Sequence, residues 1–402
     1  MQSSGRHQIV IVGAGTGGIA AAARLQRTLN SPDIAIIDPA DSHWYQPGWT
    51  MVGGGIVNKE YTRRDMSALI PGGVTWIRDA VVEFRPDDNR VVTGEGRSIE
   101  YDYLVVAAGI KINWDGVKGL ADSLGQDGVC SIYDYESAER TWQIIHGFTG
   151  GNAVFTQPKP PFKCPGAAQK IMYLADDDFR RRNVRDRSTI RFFSAAPAIF
   201  PVKKYAEALN EVIARKGLEA SFQHSLAEIR PASKEAVFQD LQNETETVVP
   251  YDLLHVTPPM GAPDFVQASP LADAGGWVDV DKHTLQHVRY KNVFGLGDVT
   301  NTPNSKTAAA IRKQMPVLVR NLQAMIEGTS AAASYNGYAS CPLITGYGKL
   351  VLAEFDYDLQ PAETFPFDQG KERLSMYWFK RYFLPYFYWH GLLKGHTLEV
   401  IG

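Results

Sequence analysis

Gln8-Ile9-Val10-Ile11-Val12-Gly13-Ala14-Gly15-Thr16-Gly17-Gly18 decides the fold of this chain. Its run of β-branched residues, Ile9 to Val12, reads as a strand buried on both faces. Glycines in the pattern G-x-G-x-x-G follow at once, and an alanine-rich stretch through Leu29 reads as a helix. A second strand, Ile34-Ala35-Ile36-Ile37, ends at Asp38, 20 positions beyond Gly18. This is the spacing of a βαβ unit that holds a dinucleotide. Gly13 permits the tight turn, Gly15 lets the backbone approach a pyrophosphate, and Gly18 allows close helix–strand packing. Asp38 can accept hydrogen bonds from a ribose hydroxyl. The motif alone does not separate FAD from NAD.

With 402 residues the chain is long enough for two or more domains, and its composition is that of an ordinary globular protein. A formal net charge of -3 argues against nucleic-acid binding. Three cysteines are too few for a disulfide framework, so any disulfide is expected to be catalytic rather than structural. No metal site is expected. The polar segment Met1 to His7 is too short for a targeting signal. No apolar run of about 20 residues is present to span a membrane. The expectation is a protein that is soluble or bound to a membrane from one side.

Two later stretches favour FAD. Tyr101-Asp102-Tyr103-Leu104-Val105-Val106-Ala107-Ala108-Gly109 reads as a strand ending in small residues, suited to a chain crossing beside the dinucleotide. Asn292-Val293-Phe294-Gly295-Leu296-Gly297-Asp298 is another strand ending in Gly-Asp, and Ser305-Lys306-Thr307-Ala308-Ala309-Ala310 reads as a helix start. Together they resemble the disulfide reductase superfamily of flavoproteins with two dinucleotide-binding domains. That resemblance implies that Asp298 bonds the ribityl chain and that the Lys306–Thr307 turn points at the flavin pyrimidine edge. It also implies a backbone contact to the adenine from Val81, in Ala80-Val81-Val82-Glu83. Gln46 lies in an aromatic, glycine-rich stretch, His43 to Gly55, almost without charge, and is expected to contact the flavin.

The middle segment carries no second glycine fingerprint. Where one would stand, the strand-like Ala153-Val154-Phe155 leads into Gln157-Pro158-Lys159-Pro160-Pro161-Phe162-Lys163-Cys164-Pro165-Gly166, and a helix is expected to end near Phe179. Cys164 should therefore sit at or just before a helix N-terminus, where unpaired N–H groups favour a thiolate, with Lys163 as a nearby positive charge. The absence of a nicotinamide site implies that the reductant is not NAD(P)H. A second cysteine, Cys341, also precedes a proline, which keeps both backbones out of the helical region. Cys130 reads as an inert thiol in a linker. Near the C-terminus, Met376 to Lys394 mixes aromatics with Lys380 and Arg381, which suits a lipid headgroup boundary.

These motifs, with Gly276-Trp277-Val278-Asp279-Val280-Asp281 and Glu363-Thr364-Phe365-Pro366-Phe367-Asp368-Gln369, resemble the sulfide:quinone oxidoreductases over nearly the whole chain. The type that includes the mitochondrial enzyme is the nearest. Pro165 stands where alanine is expected in that form. The resemblance implies an α/β fold with two Rossmann-like, doubly wound domains and a C-terminal amphipathic membrane-binding region. Residues 1–115 and 271–335 would form the FAD-binding domain, 116–270 the second domain, and 336–402 the C-terminal region. It implies Cys164 and Cys341 as the redox pair, and flavin contacts at Gly13, Gly15, Asp38, Gln46, Val81, Asp298 and Lys306, with Gly18 and Gly109 completing the cradle. Hydrosulfide would open a Cys164–Cys341 disulfide, with or without a bridging sulfur, leaving a persulfide on one cysteine. Electrons would pass through FAD to a ubiquinone-type quinone, and sulfur to a thiol or sulfite. Which cysteine carries the leaving sulfur stays open, as does a homo-oligomeric assembly. A peripheral protein on the cytoplasmic face of a bacterial inner membrane is expected, or on the mitochondrial inner membrane in a eukaryote. The alternative is a type II NADH:quinone oxidoreductase.

Overall fold

The apolar run at residues 9–12 lies inside a seven-stranded sheet, in a computed structural model that describes residues 5–330 and 333–398. Strand Gly5–Val12 pairs in parallel with Ile34–Ile37 on one side and with Ser98–Val106 on the other. Val293–Gly295 returns late in the chain to pair with Ser98–Val106, which carries Asp298 to the same sheet edge as the glycine turn. Ile9, Val10 and Ile11 have no solvent exposure, because helices and the C-terminal elements cover both faces of this sheet. Val81–Arg85 and Arg90–Thr93 extend it as an antiparallel hairpin.

The second sheet has five strands, in the order Val129–Cys130, Leu253–His255, Gly151–Gln157, Ser188–Ser194 and Glu219–Phe222, and all of its pairs are parallel. Cys130 thus lies in a buried strand and not in a linker: Val129 and Cys130 extend along Leu254 and His255 and complete that edge. An antiparallel sheet formed by His224–Arg230, Glu235–Asp240 and Glu246–Pro250 is inserted before the last of these strands in the chain.

A C-terminal hairpin, Ala339–Gly346 with Lys349–Phe355, packs on the helix Ala167–Arg181 and shares its core. The tail follows as a helix at Leu374–Trp378, a π-helical turn at Phe379–Phe383 and a helix at Leu384–His390. One side of the tail is core: Met376, Tyr377, Tyr388 and Trp389 join the cluster around Ile9 and Ile11. The other side presents Trp378, Tyr382 and Tyr386, exposed by 56%, 58% and 66%, at the four-residue spacing of one helical stripe. Lys380 departs from the headgroup placement expected for it. It is only 3% exposed and points into the protein, whereas Arg381 stays half-exposed over the Tyr382 ring.

Candidate active site

A cavity of about 680 Å³ runs between the glycine turn of the first sheet and the cysteine loop of the second. Its first wall is the βαβ turn. An added Cβ at Gly18 would stand 1.8 Å from the Gly13 carbonyl oxygen, and one at Gly13 (φ +102°) 2.6 Å from that of Ala107. Close packing therefore demands both glycines. Gly15 and Gly109 differ, since a Cβ at either would meet nothing within 4 Å, and both line the cavity. They leave a smooth backbone cradle for a flat or phosphate-bearing group. Asp38 lines it too, with Oδ2 accepting from Ala14 N–H at 2.6 Å and Oδ1 from Ala40 N–H at 2.8 Å. Burial raises its pKa, and those two hydrogen bonds partly oppose the rise.

Asp298 and the start of the helix Ala308–Ile326 form the far wall. The Asp298 carboxylate lines the cavity and receives no hydrogen bond from the described residues. Thr307 caps the helix by accepting from Ala310 N–H at 3.1 Å, which leaves the free N–H groups of residues 308 and 309 at the cavity. Lys306 donates to the carbonyls of Asp298 at 2.7 Å and Thr300 at 2.9 Å, and lies 4.3 Å from the Trp277 ring centre. Burial lowers its pKa to about 8. A glycine cradle, an unpartnered carboxylate and an open helix N-terminus at one cavity fit the pyrophosphate, ribityl and ring parts of FAD. Gly18 acts by packing behind that wall. Val81 begins its hairpin strand in the core beside Val12 and does not line the cavity.

On the second-sheet side, Cys164 and Cys341 meet, with their sulfurs 2.9 Å apart. The chain reaches this point through backbone geometry as much as through side chains. Cys164 adopts φ +48°, a left-handed conformation costly for a residue with a Cβ and typical of functional sites. Gly166 makes room for the hairpin: an added Cβ would stand 2.8 Å from the Cys341 sulfur and 2.1 Å from Leu343 Cδ2. The Cys164 N–H donates to the Lys306 carbonyl at 3.2 Å, which ties the cysteine loop to the far wall.

The charge partner of Cys164 is Lys170, not Lys163. Lys170 Nζ lies 3.3 Å from the Cys164 sulfur in the first turn of the helix Ala167–Arg181, while Lys163 reaches Gln46 Oε1 at 2.6 Å. The hydrogen bond with Cys341 holds the Cys164 thiol well below its usual pKa. The Lys170 charge and the Gly166 N–H add to this, against burial. Burial and the neighbouring Cys164 sulfur push Cys341 well above its usual value. Burial pulls Lys170 down, and the two sulfurs more than offset it, so its pKa is raised. Lys380 also faces this region: burial, then repulsion from Lys170, lowers its pKa to about 7. Burial raises Cys130 to about 12, which keeps that thiol protonated.

Sequence reading missed Lys170 and Lys380. Lys170 had a signal, a lone lysine in the first turn of an otherwise apolar helix after the cysteine. Lys380 had none, because its inward direction depends on how the tail folds back over Tyr45 and Pro47.

A glycine cradle on one sheet and a cysteine pair on the other, across one cavity, define a disulfide-reductase-type flavoprotein. In agreement, the family described as "Pyridine nucleotide-disulphide oxidoreductase" matches residues 7–143. The chain belongs to the sulfide:quinone oxidoreductases. It is 46% identical to the mitochondrial sulfide:quinone oxidoreductase of Mus musculus over 97% of this chain and 87% of the relative. It is 48% identical to that of Dictyostelium discoideum over 96% and 86%. The crystal structure of the sulfide:quinone oxidoreductase from Aquifex aeolicus superposes with a TM-score of 0.85 over 99% of this chain and 93% of that one, at 22% identity, which shows the shared fold. The NDH2 of Plasmodium falciparum superposes with a TM-score of only 0.56 at 13% identity. The chain is thus an FAD-dependent oxidoreductase of this family.

Proposed function

We propose that Cys164 and Cys341 are the sulfur-handling pair through which this chain oxidises hydrogen sulfide, with a membrane quinone as electron acceptor. The observation that carries the assignment is the 2.9 Å approach of the two sulfurs at the cavity that holds the glycine cradle. In the oxidised pair, hydrosulfide attacks one sulfur of the disulfide. A new S–S bond forms, the old one breaks, and the products are one persulfide and one thiolate. The sulfur with the lower pKa leaves faster, which makes Cys164 the leaving thiolate and places the persulfide on Cys341. Lys170 holds the negative charge that develops on Cys164. Bound FAD supplies the two-electron relay between sulfur and quinone. The persulfide sulfur then passes to a thiol or sulfite.

The roles assigned to Gly13, Gly15, Gly18, Asp38, Gln46, Gly109, Asp298 and Lys306 in holding FAD follow from their places around the cradle, and the Val81 backbone is assigned to the adenine. The exposed stripe of Trp378, Tyr382 and Tyr386 is the surface that meets the bilayer, where aromatic rings find both apolar and polar partners. Among the described residues, no helix is long and apolar enough to cross a membrane. Peripheral attachment to the quinone-bearing membrane follows, and fractionation of the source cells distinguishes a bacterial inner membrane from a mitochondrial one. An NADH:quinone oxidoreductase reading is opposed by the cysteine loop, residues 158–166, at the strand end where a phosphate cradle would be required. The test is Cys164→Ser and Cys341→Ser. Each variant should retain FAD and lose its reduction by sulfide, and sulfide reduction in either one would overturn the pairing.

A further inference from the structure

The C-terminal edge of the second sheet holds buried polar atoms that the reaction described above does not use. Ligands bind at this edge of a parallel sheet, yet no phosphate cradle occupies it here. Strands Val129–Cys130, Leu253–His255 and Gly151–Gln157 lie side by side, with Cys130, His255 and Phe155 in register. Two residues further on, Ile132, Thr257 and Gln157 are therefore neighbours on one face. That face carries the core shared by Phe155, Ile132 and the helix Ala167–Arg181. His255 is 0% exposed, Thr257 2%, Gln157 5% and Tyr133 7%.

The Tyr133 hydroxyl, Thr257 Oγ1, Gln157 Oε1 and both ring nitrogens of His255 have no hydrogen-bond partner among the described residues. Buried polar atoms are seldom left so, because losing water without a replacement is costly. Several of them in one neighbourhood call for a small hydrogen-bonding occupant. Tyr133 lies beside Thr257 and near both cysteine sulfurs, and it forms part of the cavity wall next to Cys164. Burial lowers the His255 pKa to about 3, so the ring is neutral. The group therefore offers hydroxyl donors and uncharged acceptors.

We propose that this cluster is a docking pocket for hydrogen sulfide in its uncharged, fully protonated form, held against the cysteine pair from the second-sheet side. The Tyr133 and Thr257 hydroxyls donate to sulfur, and Gln157 Oε1 and a His255 nitrogen accept from S–H. No bond is made or broken in the pocket, and its members act as positioning residues. The proposal rests on the sulfide-oxidising reading.

The test is stopped-flow reduction of the holoenzyme by sulfide in Tyr133→Phe, Thr257→Val and the double variant, all close in shape to the native residues. The expected result is a roughly three- to tenfold rise in KM for sulfide per hydroxyl, the range of one lost hydrogen bond, with kcat and KM for decylubiquinone unchanged. Should a variant fail to fold, anaerobic crystals of the unaltered holoenzyme, grown with and without sulfide, give the second readout. A sulfur anomalous peak in the pocket that appears only with sulfide supports the proposal. An unmoved KM, or water in the pocket under both conditions, overturns it. If sulfide fails to reduce the unaltered enzyme, the sulfide reading falls as well, whereas normal reduction with an unmoved KM sinks the pocket alone.

Discussion

Replacing Lys170 with Met keeps the length and burial of the side chain but removes the charge that faces Cys164. At the 3.3 Å separation, a pair of unit charges in a medium of effective dielectric about 20 interacts by about 5 kcal/mol. About 1.4 kcal/mol is a tenfold change in equilibrium, so even a quarter of that interaction, if it survives relaxation, moves the thiolate population tenfold. The assay is the rate of iodoacetamide alkylation of the reduced protein as a function of pH. It reports Cys164, because Cys341 and Cys130 are 0% and 1% exposed. The Lys170→Met protein should alkylate at least about tenfold more slowly at neutral pH, with its pH midpoint moved upward, and Lys170→Arg should restore most of the rate. A Lys170→Met protein with the native rate and midpoint would refute the assignment of Lys170 as the charge partner of Cys164.

Lys380 gives a pH-dependent stability prediction. Its folded pKa of about 7 lies below the ordinary 10.5, through burial and then Lys170, so the unfolded chain binds its proton more tightly. The contribution of this group to stability therefore rises with pH between those values, and the full cost of the buried ammonium remains on the acid side of 7. Lys380→Met should raise the Tm most in acid and progressively less above neutrality, and an equal shift at every pH would contradict this. Tyr388→Phe removes the hydroxyl that meets Thr16 Oγ1 at 2.7 Å and His43 Nε2 at 2.6 Å, so the buried His43 nitrogen loses its partner. Chemical denaturation should show a loss of about 1–3 kcal/mol at constant m-value, and no loss would mean that this junction between tail and glycine turn is not structural.

The first domain was legible because its chemistry is local. Gly13, Gly15, Gly18 and Asp38 lie within one βαβ unit, and each glycine's reason is visible in the backbone it approaches. The cysteine pairing was not legible from spacing, because Cys164 and Cys341 are 177 positions apart and meet only where the hairpin packs on the helix over Gly166. The misassigned cation has a similar cause. Lys163 is next to Cys164 in sequence, but the left-handed turn at Cys164 sends it to Gln46, and Lys170 comes round on the first helical turn instead. The tail misled in part because its composition suits a membrane all round, while folding buries Met376, Tyr377, Lys380, Tyr388 and Trp389 and leaves a single stripe outside.

The central claim, that sulfur delivers electrons where a nicotinamide would otherwise bind, is tested most directly by anaerobic titration of the purified holoenzyme. Sulfide should bleach the flavin absorbance at about one equivalent per flavin, since one disulfide accepts one electron pair. Decylubiquinone should restore the absorbance, and NADH should leave it unchanged. Bleaching by NADH with no response to sulfide would contradict the account.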